Sequence, residues 1–130
     1  MAHLTLEYSA NLGDQADIPA LLGALHDAAL ATGVVTVDAL RTRAVARRHY
    51  AIGDREPANV FVAVVVRIGP GRSASEKHSL LDAVLEALER SLGPTAGNAM
   101  LSVECQEIDG EFRVNRNHLR HIIAERTAQS

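Results

Sequence analysis

The chain repeats one unit, and that repeat limits the folds open to it. His3 to Glu7 reads as a strand, Asp17 to Ala31 as a helix and Ala39 to Ala46 as a strand. Asn59 to Ile68 again reads as a strand, Ser73 to Leu92 as a helix and Met100 to Ile108 as a strand. Two strand–helix–strand units in one sheet need right-handed crossovers, which put both helices on the same side. The expected fold is therefore α/β (α+β): two fused βαβ units forming a four-stranded mixed sheet with two helices on one face. Residues 1–130 make one domain by size. The first unit spans 1–50, the second 58–110, and 111–130 is a C-terminal extension.

Each helix carries its own start and stop signals. In the first, Asp17 is placed to cap the orphan amides and Pro19 suits the first turn. Ile18, Leu21, Leu22, Leu25 and Ala29 then fall on one face, and Gly33 ends it. In the second, Ser73 and Glu76 have capping-box spacing. Leu80, Leu81, Val84, Leu85, Leu88 and Leu92 form its stripe before Gly93-Pro94. Arg113 to Arg126 reads as a short third helix, rich in Arg and His. The run Phe61 to Val66 does not alternate, which points to a strand covered on both faces. Helices of a two-layer domain cover one face only, so another subunit is expected on the other.

Bulk properties narrow the function classes. A net charge of −3 lacks the basic footprint of a general nucleic-acid binder. A lone cysteine, Cys105, rules out an intramolecular disulfide and argues against a Cys-based metal site. His118 and His121 are three apart, but no third ligand accompanies them, and no metal is expected. The first twenty residues show neither a basic n-region nor an apolar h-region. The longest apolar run, Val60 to Val66, is too short to span a bilayer. The expectation is a cytoplasmic protein without nucleic-acid or membrane partners.

The arginines carry the chemistry. Arg41-Thr42-Arg43 alternates, so both guanidinium groups leave the same strand face. Arg67 lies on the next strand, and Gly69-Pro70-Gly71 leads to Arg72 at a helix start. Guanidinium forks match carboxylates bidentately, and a helix N-terminus favours anions. Together they point to a pocket for a small molecule with two or more carboxylates; solvated arginines on sheet edges are the plainer alternative. A strand that begins at the N-terminus also brings an α-amine to the sheet. Such an amine titrates at about 7.7–8.0, far below a lysine. The Gly-x-Gly is not a dinucleotide fingerprint, because the third glycine is missing.

Several short motifs carry a resemblance. Met1-Ala2-His3-Leu4-Thr5-Leu6-Glu7-Tyr8-Ser9-Ala10-Asn11, Ala31-Thr32-Gly33 and Leu40-Arg41-Thr42-Arg43 are followed by Ile68-Gly69-Pro70-Gly71-Arg72-Ser73 and Asn115-Arg116-Asn117-His118-Leu119. In order and spacing the chain resembles the 5-carboxymethyl-2-hydroxymuconate isomerases of the tautomerase superfamily. The resemblance implies a homotrimer and a cofactor-free isomerisation in the meta-cleavage breakdown of homoprotocatechuate. It implies that an N-terminal proline amine moves a proton of a dienol while arginines hold the substrate carboxylates. Carried onto this chain, Ala2 becomes the catalytic position, through its α-amine once Met1 is removed. Arg41, Arg43 and Arg72 become the substrate-binding residues. Position 2 is alanine here, not proline. Three functions follow from this: an isomerase with a primary amine as base, a tautomerase-fold protein that binds a small carboxylate or only assembles, or a different enzyme of the superfamily using the amine on another 2-oxo acid.

Overall fold

The computed structural model describes residues 1–129. Four strands form one sheet: β1 (Ala2–Ser9), β2 (Leu40–Arg47), β3 (Val60–Ile68) and β4 (Ala99–Glu107). Their order is β2-β1-β3-β4. β1 runs parallel to β2 and antiparallel to β3, and β3 runs parallel to β4. The mixed sheet expected from the repeat is present, with strand ends moved by one or two residues.

The crossover helices are α1 (Ile18–Ala31) and α2 (Ala74–Leu92). Asp17 Oδ1 accepts the Ala20 amide at 3.1 Å. Thr32 Oγ1 donates to the Ala29 carbonyl at 2.7 Å, and Gly33 turns the chain with φ +74°. That left-handed φ is open to glycine without a Cβ clash. Ser73 and Glu76 close a full capping box on α2. Both helices cover the same sheet face. Leu21, Leu25 and Ala29 of α1 and Leu80, Val84 and Leu88 of α2 pack over Leu4, Leu6, Val62 and Val64. Each such side chain, fully buried, stabilises the fold by about 1.5–3 kcal/mol.

The opposite face is open. In β3, Val60, Val62, Val64, Val66 and Ile68 are buried, while Phe61, Ala63 and Val65 are only partly covered. Within one chain this strand is covered on one face, the helix side, and its other face is the one expected to meet a second subunit. The third helix, α3 (Arg120–Gln129), also departs from expectation, since it starts seven residues after Arg113. Residues 113–117 form no regular structure and 118–119 a turn, and two asparagines of this segment take partners far along the chain. Asn115 Oδ1 accepts from Arg41, and Asn117 Nδ2 donates to the Asp38 carbonyl. Asn117 Oδ1 also accepts the Leu119 amide at 3.0 Å. This strap carries the C-terminal segment back to where β1 and β2 begin.

Candidate active site

The starts of β1 and β2 meet the end of β3, with Ala2 opposite both Leu40 and Ile68. The chain's α-amine therefore sits beside the Gly69-Pro70-Gly71 turn. The Ala2 nitrogen lies 3.4 Å from the Ala39 carbonyl, and the Ala2 side chain is buried. The amine, here that of Met1, titrates below its ordinary 8.0. Burial is the largest cause, followed by the charges of Arg113, Arg72, Arg41 and Arg120. Burial and nearby positive charge both disfavour the ammonium form. The site thus makes the amine more available as a base near neutral pH.

The four arginines differ in what holds them. Arg72 donates from Nε and Nη2 to the Val34 carbonyl at 3.3 and 3.1 Å. Its Nη1 donates to the Gly69 carbonyl at 3.2 Å. Arg41 donates to the Ala39 carbonyl at 3.2 Å and to Asn115 Oδ1 at 3.4 Å. Arg120 is paired with Asp38 at 2.7 Å. The Arg113 guanidinium lies 3.2 Å from where a Cβ on Gly69 would stand. A groove of about 320 Å³ runs alongside, lined by Val37 to Arg41, Arg116 to Leu119 and Ile123.

Thr42 turns toward the helices, where its hydroxyl meets His26 Nδ1 at 2.8 Å. Arg41 and Arg43 consequently leave the sheet on its open face, as their alternation predicted. His3 lies between Arg41 and Arg67 in register on that face. Arg43 Nη1 donates to His3 Nδ1 at 3.1 Å. Guanidinium has no acceptor, so Nδ1 must accept and the ring proton sits on Nε2. Burial, then Arg41, Arg43 and Arg67, lower the His3 pKa, which keeps the ring neutral.

Of the residues singled out from sequence, the fold gathers Ala2, Arg41 and Arg72 around the amine. Arg43 stands further along β2 and engages His3 instead. Sequence reasoning passed over Arg113 and Arg120. Their only signal was membership of a basic C-terminal run, and nothing in its spacing ties that run to the N-terminus. Other candidates have ordinary surroundings. Glu7 pairs with Arg47, and Glu107 with Lys77. Cys105 is partly buried, and burial pushes its thiol pKa up. No cluster of three or more His, Cys, Asp or Glu occurs among the described residues. No helix among them is long and apolar enough to cross a membrane.

The arrangement sets an α-amine of lowered pKa among several guanidinium groups. Comparison with known proteins shows the family. The pattern of one family, 5-carboxymethyl-2-hydroxymuconate isomerase, matches residues 2–123. The 5-carboxymethyl-2-hydroxymuconate Delta-isomerase of Escherichia coli is 22% identical over 121 residues, spanning 92% of this chain and 96% of that one. The crystal structure of a 5-carboxymethyl-2-hydroxymuconate isomerase from Deinococcus radiodurans R1 is 32% identical, with a TM-score of 0.85 over 94% of this chain and 93% of that chain. A fused 4-OT described as a symmetric trimer is 20% identical and shares the fold, with a TM-score of 0.61 over 88% of this chain and 92% of that chain.

Proposed function

The chain belongs to the 5-carboxymethyl-2-hydroxymuconate isomerase family, and from that premise we propose that it is a cofactor-independent isomerase of an unsaturated hydroxy- or oxo-polycarboxylate. The observation that carries this reading is the α-amine, lowered in pKa by burial and by four arginines. Removal of Met1 puts a new α-amine on the Ala2 nitrogen, one residue along the same strand start. Its neutral nitrogen takes the enol O–H proton of a bound dienol. The O–H electron pair becomes the carbonyl, the double bonds shift, and the ammonium returns its proton to a remote carbon. One proton moves and nothing is oxidised. Arg41 and Arg72 hold carboxylates and stabilise the negative charge that develops on the dienolate. Arg43 extends the cationic surface along the open face.

The reading includes a cytoplasmic homotrimer. The partly covered Phe61, Ala63 and Val65 strip is an apolar surface suited to a second copy. Light scattering at micromolar concentration should return three times the chain mass; a monomer would end this part of the reading. The activity test is ketonisation of a 2-hydroxymuconate-type dienol, followed by ultraviolet absorbance, on protein whose N-terminus is confirmed by intact mass. Ala2 at the family's proline position favours a second reading, a carboxylate binder or assembling protein without turnover. Trimeric protein with a free Ala2 amine and no ketonisation above the solvent rate would select it.

A further inference from the structure

We propose that Arg113 is a substrate-binding residue that sets specificity, holding a carboxylate beyond those held by Arg41 and Arg72. This rests on the reading of the site as one for polycarboxylates. Arg113 and Arg72 differ in the way that matters for binding. Three of the donor contacts of Arg72 go to the Val34 and Gly69 carbonyls. Those bonds fix the turn to the end of α1 and leave Arg72 few donors for a ligand. Arg113 has no hydrogen bond or ion pair among the described residues, yet it is partly buried between the exposed Phe112 and Val114. A half-buried guanidinium without a partner keeps its donor fork free for a carboxylate.

Its place is built, not incidental. Gly69 lacks the Cβ that would meet Arg113 at 3.2 Å. Gly110 packs where a Cβ would touch Pro70 at 3.4 Å. The Ile108 amide donates to the Ile68 carbonyl at 2.8 Å, which anchors the strap just before it reaches Arg113. Of the charges acting on the α-amine, that of Arg113 is the strongest. With Arg72 on the same glycine, two guanidinium groups act on one amine, and neither is ion-paired among the described residues. A ligand bearing three carboxylates answers that charge where one bearing two leaves Arg113 unpaired.

The test compares two ligands that differ by one carboxylate, propane-1,2,3-tricarboxylate and glutarate, by titration calorimetry on the whole protein. Wild type should bind the tricarboxylate at least about tenfold more tightly, the usual scale for a charged hydrogen-bonded contact. Arg113→Gln should remove that preference and leave glutarate affinity within about threefold. An unchanged preference, equal weakening of both ligands, or no binding of either by wild type would each overturn the proposal. Should Arg113→Gln fail to fold, Gly69→Ala decides. Its Cβ crowds the guanidinium while every charge stays, and a reduced tricarboxylate preference is expected; an unchanged one overturns the proposal. The isomerase reading is judged separately. A protein that ketonises without the preference loses only the Arg113 role, and one that shows the preference without turnover keeps it.

Discussion

The two halves of the molecule end in two grooves that the topology makes equivalent and the side chains make different. One opens where β1 and β2 start, the other where β3 and β4 start, with Val60 opposite Ala99. Each groove measures about 320 Å³. The first is lined by two arginines, Arg41 and Arg116, with Asp38 as its one acid. The second is lined by residues such as Gly53, Asn59, Gly97 and Met100, and its one charged side chain is Asp54. Hydrogen bonds from Asn59 and the Glu56 amide hold the Asp54 carboxyl below its usual range. The edge strands carry the same contrast: β2 contains three arginines and no acid, β4 two glutamates and no basic residue. A repeat thus supplies the scaffold twice, but an N-terminus exists only once. Arg41, Arg72, Arg113 and Arg120 all act on that terminus.

The largest test of that asymmetry is to block the amine. Acetylating the α-amine should lower ketonisation by about 10²–10⁴-fold, the range for a general base. Ultraviolet assays on mass-verified protein measure it, and a rate unaffected by acetylation would move the chemistry away from this groove. Stability, by contrast, should be shared. Leu25→Ala in α1 and Leu88→Ala in α2 remove fully buried side chains. Each should cost about 2–5 kcal/mol in denaturant unfolding. A large inequality would show that one half folds as the dominant core.

Replacing Ala2 with proline should sharpen the contrast by about tenfold in rate, with Met1 removed in both forms. The ring fixes φ near −65° and directs the lone pair, whereas a primary amine rotates about N–Cα. No gain in a trimer with an intact site would favour the non-catalytic reading. The pH profile gives a smaller effect. A base must be deprotonated, so the rate should rise with pH through the amine's pKa, with a midpoint below 8.0. Arg113→Gln removes a cation beside the ammonium, so the midpoint should move up; a downward move would contradict the geometry. The smallest effect is at the capping box. Ser73→Ala should cost about 1 kcal/mol and leave the amine's midpoint where it was.

Most of the fold was legible because its signals are local. Strand and helix periodicity, the Asp17 cap, the Ser73–Glu76 box and the glycines at 33 and 93 all act within a few residues. The alternation of Arg41 and Arg43 also needed only neighbours. The C-terminal helix was misjudged at its start because Asn115 and Asn117 answer to Arg41 and Asp38, some 74 and 79 residues away. The site shows the same division. Sequence alone determined two crossover units, a chain end on a strand, and arginines beside it. Only the tertiary structure decided that Arg72 is tied to carbonyls, that Arg43 serves His3, and that Arg113 arrives at the amine. Those outcomes depend on which distant groups claim each guanidinium, and spacing along the chain carries no record of that.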